Sequence, residues 1–140
     1  MTKVVAASGY FDPLHVGHLE YLEKARQLGD KLIVIINNDI QTKLKKGFVF
    51  MIQEDRMKII KALRYVDDVF LSIDNDESVC KSIELLKPDI FAKGGDRKIH
   101  EIPETPICRK LGIEIIDGLG DKIRASSEIL KKLQEENKNE

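Results

Sequence analysis

The feature that most limits the possible folds is a series of short apolar segments that alternate with helical patterns. The clearest segment is 31–37, in which Leu32 to Ile36 form an unbroken apolar run. Such a run is typical of a strand buried on both faces of a parallel sheet, because helices cover both faces. Strands alternating with helical segments also imply right-handed crossover connections. The sequence therefore predicts an α/β fold with a parallel sheet.

Five strands and the segments between them can be assigned from these patterns. Strands are expected at 4–7, 31–37, 67–71, 89–92 and 113–116, with helical patterns after Gly17, over 53–64, from the cap at 74–77 to Pro88, over 107–111 and from Ser126. The stretch 39–52 is expected to be a connection, polar and then hydrophobic. Residues 1–140 are expected to form one domain, in which about 135–140 are a frayed polar tail.

Composition argues against several classes of function. The formal net charge is −1, so no general basic field favours nucleic acid as a partner. No apolar run approaches the ~18–20 residues of a membrane span. Cys80 and Cys108 are far apart and lack metal or redox spacing. The first strand begins almost at once, which leaves no room for a signal peptide. A cytoplasmic protein is expected.

The main candidate for a functional site is the stretch 8–18, between the first strand and the first helix. Its sequence is Ser-Gly-Tyr-Phe-Asp-Pro-Leu-His-Val-Gly-His. Gly9 lets the chain turn off the strand, and Gly17 would allow a ligand to approach the backbone. His15 and His18 are three apart, so both imidazoles project from one side of the first turn. Free N–H groups make a helix start an anion site. The pattern predicts a phosphate site; the alternative is that one histidine caps the helix and the other packs.

The pattern Gly-x-Phe-Asp-x-x-His-x-Gly-His resembles the signature of the cytidylyltransferase-like nucleotidyltransferases. The resemblance implies a Rossmann-like three-layer sandwich. It also implies that an acceptor phosphate attacks the α-phosphate of a nucleoside triphosphate, with Mg²⁺ present and a homodimer as the assembly. His15 and His18 would donate to the α-phosphate. The nucleotide site would include Gly9, Tyr10, Phe11, Asp12 and Gly17.

A lysine cluster follows the second strand, at Lys43, Lys45 and Lys46. On its own, such a cluster is more often a solvated basic loop. The family carries a lysine-bearing loop at this place, so Lys46 is the best match to a catalytic lysine and Lys43 is second. Lys43 and Lys45 would bind the acceptor phosphate. Arg56 matches a helix-start arginine that is either structural or close to that phosphate. The apolar stretch Phe48 to Met51 replaces the family's Arg-Pro step and could pack against a second subunit.

Two later boxes bear on the nucleotide. Lys93, Gly94, Gly95 and Asp96 are similar to the Lys-Gly-Gly-Asp of heptose-1-phosphate adenylyltransferases, which favours ATP over CTP. Arg124, Ser126 and Ser127 match a box at the start of the last helix that would hold the β- and γ-phosphates. Ala125 and Glu128 depart from that box.

The resemblance therefore implies a nucleotidyltransferase that joins NMP to a phosphorylated metabolite, most closely a heptose-type sugar-1-phosphate adenylyltransferase. A CTP-dependent enzyme acting on glycerol 3-phosphate or a phospho-alcohol is the first alternative, and a flavin-nucleotide synthase the next. A non-catalytic nucleotide-binding module is the alternative from another class. The His-x-x-His spacing lacks further clustered ligands, so no protein-held metal is expected.

Overall fold

The computed structural model describes residues 2–94 and 102–119, in which strands and helices alternate along the chain. In order these are β1 (Val4–Gly9), α1 (Val16–Arg26), β2 (Lys31–Ile36), α2 (Asp39–Lys46), α3 (Gln53–Lys61), β3 (Asp68–Leu71), α4 (Cys80–Leu86), β4 (Ile90–Gly94), α5 (Thr105–Leu111) and β5 (Glu114–Leu119). All neighbouring strands pair in parallel, in the order β3-β2-β1-β4-β5. The predicted α/β fold with a five-stranded parallel sheet is confirmed.

The central strand β1 shows why the sheet is covered on both faces. Val5 and Ala7 point into one core cluster, which also contains Leu22 of α1 and residues of α3. Ala6 points into a second cluster, which contains Ile83 of α4 and residues of α5. Because side chains alternate along a strand, both faces must be apolar. The result is the expected three-layer sandwich.

Aspartates close the amino end of the sheet. The carboxylates of Asp30, Asp67 and Asp89 accept the backbone N–H groups of Lys3, Leu32 and Val4, over 2.7, 2.8 and 2.8 Å. At the opposite end lie the last residues of the neighbouring strands β1 and β4; the next described helices, α1 and α5, pack on different faces of the sheet. In open parallel sheets, ligands bind at this topological switch point.

Helix α2 is the main departure from the prediction, which treated 39–52 as a connection. The Asn38 side chain accepts the Gln41 N–H at 2.9 Å and caps the helix, which ends at Gly47 with φ +84°. Gln41 is fully buried and donates to the carbonyls of Asp76 and Ser78. The apolar residues of α2 are exposed, so it lacks the inward apolar stripe on which helix prediction depends.

Helix α4 begins at Cys80, later than predicted, so Asp74 is not its N-cap. The Asp74 carboxylate nevertheless accepts the N–H groups of Lys81 and Ser82, at 2.7 and 3.1 Å. It therefore satisfies free donors of the first turn from outside the helix. The predicted helix from Ser126 and the tail at 135–140 lie outside the described residues.

The longest helix in the described part of the chain is α1, with 11 residues. A membrane-spanning helix needs about 20 apolar residues, and none of the described helices meets that requirement.

The hydroxyl of Tyr21 joins the two strands at the switch point. It donates to the Ala92 carbonyl of β4 at 2.6 Å and accepts the Ser8 N–H of β1 at 3.2 Å. The residue is buried on α1, so its hydroxyl sits where water cannot replace these bonds.

We expect Tyr21→Phe to lower the free energy of unfolding by about 1–2 kcal/mol, because buried partners lose a hydrogen bond. Urea unfolding would measure the change. Tyr65→Phe is the control, since Tyr65 is only half-buried. Equal losses in the two variants would contradict a linking role for the Tyr21 hydroxyl.

Candidate active site

The turn between β1 and α1 is built around a buried phenyl ring. A Cβ atom on Gly9 would lie 2.8 Å from the Phe11 ring, so the position requires glycine for space. Gly9 is the last residue of β1, where the chain leaves the strand as predicted, but it does not have a positive φ, so space rather than backbone conformation accounts for the glycine. Phe11 itself has φ +53° and is 2% exposed, with its ring edge-on to His18. Phe11 therefore packs against His18 from the protein interior, whereas we had predicted that it contacts the nucleotide.

Both histidines cap helix α1. The Nδ1 atom of His15 accepts the Gly17 N–H, and the Nδ1 atom of His18 accepts the His15 N–H, each at 3.1 Å. The two rings stack with centroids 3.8 Å apart. Because Nδ1 is an acceptor in each ring, the proton of the neutral form lies on Nε2. Capping, one of the alternatives from the sequence, thus leaves an Nε2–H donor on each ring. It also occupies the Gly17 N–H, which we had expected to be open to a ligand.

The environment keeps both rings neutral. Burial, the nearby His15 and the charge of Lys46 together lower the pKa of His18 from 6.5 to about 4, and burial is the largest of these causes. Burial and then Lys46 lower the pKa of His15. At neutral pH the pair therefore offers two uncharged N–H donors.

Lys46 lies beside this pair. Its ammonium donates to the backbone carbonyl of Asp12, and its charge acts on both histidines. Lys45 lies on the same helix, with its ammonium 4.6 Å from the centre of the Tyr10 ring. Lys43 is exposed on α2. The structure thus brings Lys46 to the histidines and places Lys43 and Lys45 on the helix that carries it.

Asp12 does not face the crevice as predicted. It is 4% exposed, and its two carboxylate oxygens accept the N–H groups of Phe50 and Met51, at 2.9 and 2.6 Å. This pairing joins the histidine turn to the segment that follows α2. It links positions 38 and 39 residues apart, so no local sequence signal could have revealed it.

Arg56 is buried at 1% exposure, and its guanidinium donates to four groups. The acceptors are the carbonyls of Tyr10, Asn37 and Met51 and the carboxylate of Asp39, all within 2.9 Å. The predicted contact with an acceptor phosphate does not fit this arrangement, because the side chain is buried and four of its five N–H donors are already used. Arg56 is structural, which was the other alternative, and Asp39 is its partner that sequence reasoning missed.

On the other side of the switch point, the Lys93 ammonium lies 3.3 Å from the Ser8 hydroxyl. A Cβ on Gly94 would lie 3.1 Å from the Leu119 carbonyl and 3.2 Å from the Tyr21 ring, so glycine is needed where β4 passes close to its neighbours. Lys93 therefore lies at the end of β4 next to the end of β1. The other predicted nucleotide contacts, Gly95, Asp96, Arg124, Ser126 and Ser127, lie outside the described residues.

Comparison with known proteins identifies the family to which the chain belongs. The model of the cytidylyltransferase-like family matches residues 6–133. The chain belongs to this family. The resemblance seen in the sequence is therefore confirmed.

Curated relatives extend over most of the chain. It is 38% identical over 125 residues to bifunctional protein HldE of Hahella chejuensis, covering 88% of this chain and 24% of the relative. With HldE of Citrobacter koseri the identity is 39% over 136 residues, covering 96% and 28%. The chain thus spans about a quarter of the length of these relatives. The crystal structure of the lipopolysaccharide core biosynthesis protein of Thermoplasma volcanium is similar with a TM-score of 0.74, 28% identity, and coverage of 87% of this chain and all of that one.

Acidic and histidine side chains in the described part of the chain do not form a metal site. Among residues 2–94 and 102–119, no three His, Cys, Asp or Glu side chains are grouped so that they could hold an ion. The Asp12 carboxylate is already satisfied by two N–H groups. These residues therefore do not fit a protein-held metal.

The lowered pKa of His18 makes stability depend on pH. In the unfolded chain the His18 side chain has its ordinary pKa of 6.5, whereas in the folded chain its pKa is about 4. Between these two pH values the unfolded state therefore binds more protons than the folded state. We expect the free energy of unfolding to fall by about 2 kcal/mol from pH 7 to pH 5. Urea unfolding at both values measures this. His18→Asn should show a smaller fall; an identical fall would contradict this origin.

Proposed function

We propose that the chain is a nucleotidyltransferase that transfers NMP from an NTP to a sugar 1-phosphate, with ATP and a heptose-type acceptor favoured. The observation that carries the proposal is the stacked, neutral pair His15 and His18 with Lys46 beside it. The group lies at the carboxyl end of β1, next to β4, where parallel sheets bind ligands.

The chemistry needs positioning and charge stabilisation more than proton transfer. An oxygen of the acceptor phosphate forms a bond to the α-phosphorus, and the bond from that phosphorus to the bridging oxygen breaks, releasing pyrophosphate. The acceptor is already an anion, so no base has to remove a proton. The Nε2–H groups of His15 and His18 donate to the α-phosphate oxygens, and Lys46 adds a positive charge. Preorganised donors of this kind act most strongly where negative charge accumulates in the transition state.

The choice of substrates rests on similarity. Lys93 and Gly94 begin the segment that is similar to heptose-1-phosphate adenylyltransferases. Relatives named HldE, and a structure named for lipopolysaccharide core biosynthesis, are consistent with a role in cell-surface carbohydrate synthesis. CTP with glycerol 3-phosphate or a phospho-alcohol is the alternative. Mg²⁺ would enter with the NTP, because phosphate oxygens and water supply the ligands it prefers. The two cysteines in the described part are free, which supports a cytoplasmic location.

Pyrophosphate release tests the reaction, with ATP and CTP each paired with a panel of sugar 1-phosphates and phospho-alcohols in Mg²⁺. The informative variant is His15→Asn, because asparagine is a strong N-cap and should preserve the helix while removing the Nε2–H donor. We expect kcat to fall about 10²–10³-fold with little change in melting temperature. His18→Ala should also lose turnover while it still folds and binds nucleotide.

Pyrophosphate release with ATP and a heptose 1-phosphate would support the full proposal. Release only with CTP would support the mechanism but contradict the choice of ATP as the nucleotide. Turnover that survives His15→Asn and His18→Ala would contradict the assignment of the histidines.

We also propose that two copies associate through an apolar patch, defined as Ile40, Leu44, Phe48, Phe50 and Ile52. These side chains are 52–67% exposed, on α2 and the segment that leads to α3. Lysines flank the patch on α2, and Glu54 and Asp55 open α3. A surface with an apolar centre and charges of opposite sign on either side can pair with itself about a two-fold axis.

Sedimentation velocity tests the assembly. We expect Leu44→Glu and Phe50→Glu to convert dimer to monomer, since each would bury a charge in the contact. Leu85→Glu is the matched control, because Leu85 is 63% exposed on a different helix, α4. A monomeric native chain, or a loss of dimer caused equally by Leu85→Glu, would contradict this interface.

A further inference from the structure

Residues 47–52 connect α2 to α3 and carry little packing of their own. Phe48, Phe50 and Ile52 are exposed, so burial of these side chains does not fix the path of the backbone. Polar contacts to buried groups do so instead. The Asp12 carboxylate receives the Phe50 and Met51 N–H groups, and the Met51 carbonyl receives Arg56.

Asp12 also contacts the segment's other end through its main chain. Its carbonyl accepts the ammonium of Lys46, the residue just before Gly47. One residue of the histidine turn therefore contacts both ends of the stretch from Lys46 to Met51. His15 follows three residues later, so any shift of Asp12 relative to this stretch changes the distance between Lys46 and the histidines.

We propose that Asp12 is a positioning residue that holds Lys46 and residues 47–52 against the histidine pair. The proposal rests on the proposed function, because it assigns Asp12 a task in that reaction. Asp12 contacts neither substrate; it acts through Lys46. This differs from the sequence-based prediction, in which Asp12 binds the nucleotide.

A carboxylate suits this task better than any similar side chain. Two consecutive backbone N–H groups point to one residue, and each needs an acceptor. Both oxygens of a carboxylate accept, whereas an amide has one acceptor and one donor. Asp12→Asn keeps the shape but turns an NH₂ group toward one of the two N–H groups. That substitution should release one end of the segment without emptying space in the core.

The first test does not depend on activity. In Asp12→Asn we expect faster hydrogen exchange at one or both of the Phe50 and Met51 amides, because an amide side chain offers one acceptor where the carboxylate offered two. We also expect the pKa values of His15 and His18 to rise in an NMR titration, because Lys46, which lowers both, would move away. Lys46→Gln shows the rise that follows complete loss of that charge. Removing a negative charge near the histidines, without moving Lys46, would instead lower their pKa values.

Asp68→Asn is the charge-matched control. Asp68 is exposed at the start of β3, so its loss should leave the two amides and both histidines unchanged. Unchanged exchange at Phe50 and Met51 in Asp12→Asn, or histidine pKa values that fall or stay constant, would overturn the proposal.

The second test is a kinetic double-mutant cycle. We expect Asp12→Asn to lower kcat about 10²-fold, since misplacing a group by about 1 Å costs that much. Nucleotide affinity, measured by equilibrium binding, should change little. If Asp12 acts through Lys46, its loss should have little further effect in the Lys46→Gln background. Independent, multiplying losses, or a large loss of nucleotide affinity, would show that Asp12 acts directly on substrate.

The two tests separate this inference from the reaction on which it rests. If the native chain releases no pyrophosphate with any substrate of the panel, the proposed function fails. The exchange and titration results would still show whether Asp12 positions Lys46.

Discussion

The start of helix α1 must have acceptors for its free N–H groups, and this chain supplies them with imidazoles. That choice decides the chemistry of the site. An imidazole that accepts at Nδ1 is fixed in one tautomer and one orientation, so Nε2–H points away from the helix. The two rings also stack, and the partial burial of His18, with His15 and Lys46 beside it, lowers its pKa to about 4. Helix capping and phosphate binding are therefore two uses of the same side chains.

Polar contacts to buried groups hold the second wall of the site. Arg56, Asp12 and Gln41 are all buried, and each bonds to backbone groups from a distant part of the chain. Such contacts are directional, unlike apolar packing, and a buried polar group left unpaired is costly. They therefore fix α2 and residues 47–52 in one position. Because polar contacts fix these segments, their apolar side chains need not be buried in the core. They remain exposed, where we propose that a second copy binds.

The parallel sheet provides the rigid frame for both walls. Its amino end is closed by aspartates that satisfy strand N–H groups, while Tyr21 ties β1 to β4 at the carboxyl end. Gly94 allows Tyr21 and Leu119 to approach β4 closely. The strands at the carboxyl end of the sheet are thus held in fixed positions. The residues that we propose contact substrate lie on the turns and helix starts around that end.

The sequence by itself determined the parallel sheet, the family and the location of the histidine box. Strand hydrophobicity and the spacing of His15 and His18 are local properties, which a sequence displays directly. Only the tertiary structure decided what Asp12, Arg56 and the α2 segment do. Asp12 contacts residues 38 and 39 positions away, and Arg56 reaches Tyr10 across 46 positions. The sequence shows that such residues are polar. Their hydrogen-bond partners are distant in sequence and come together only in the folded chain, so the roles of these residues could be assigned only from the structure.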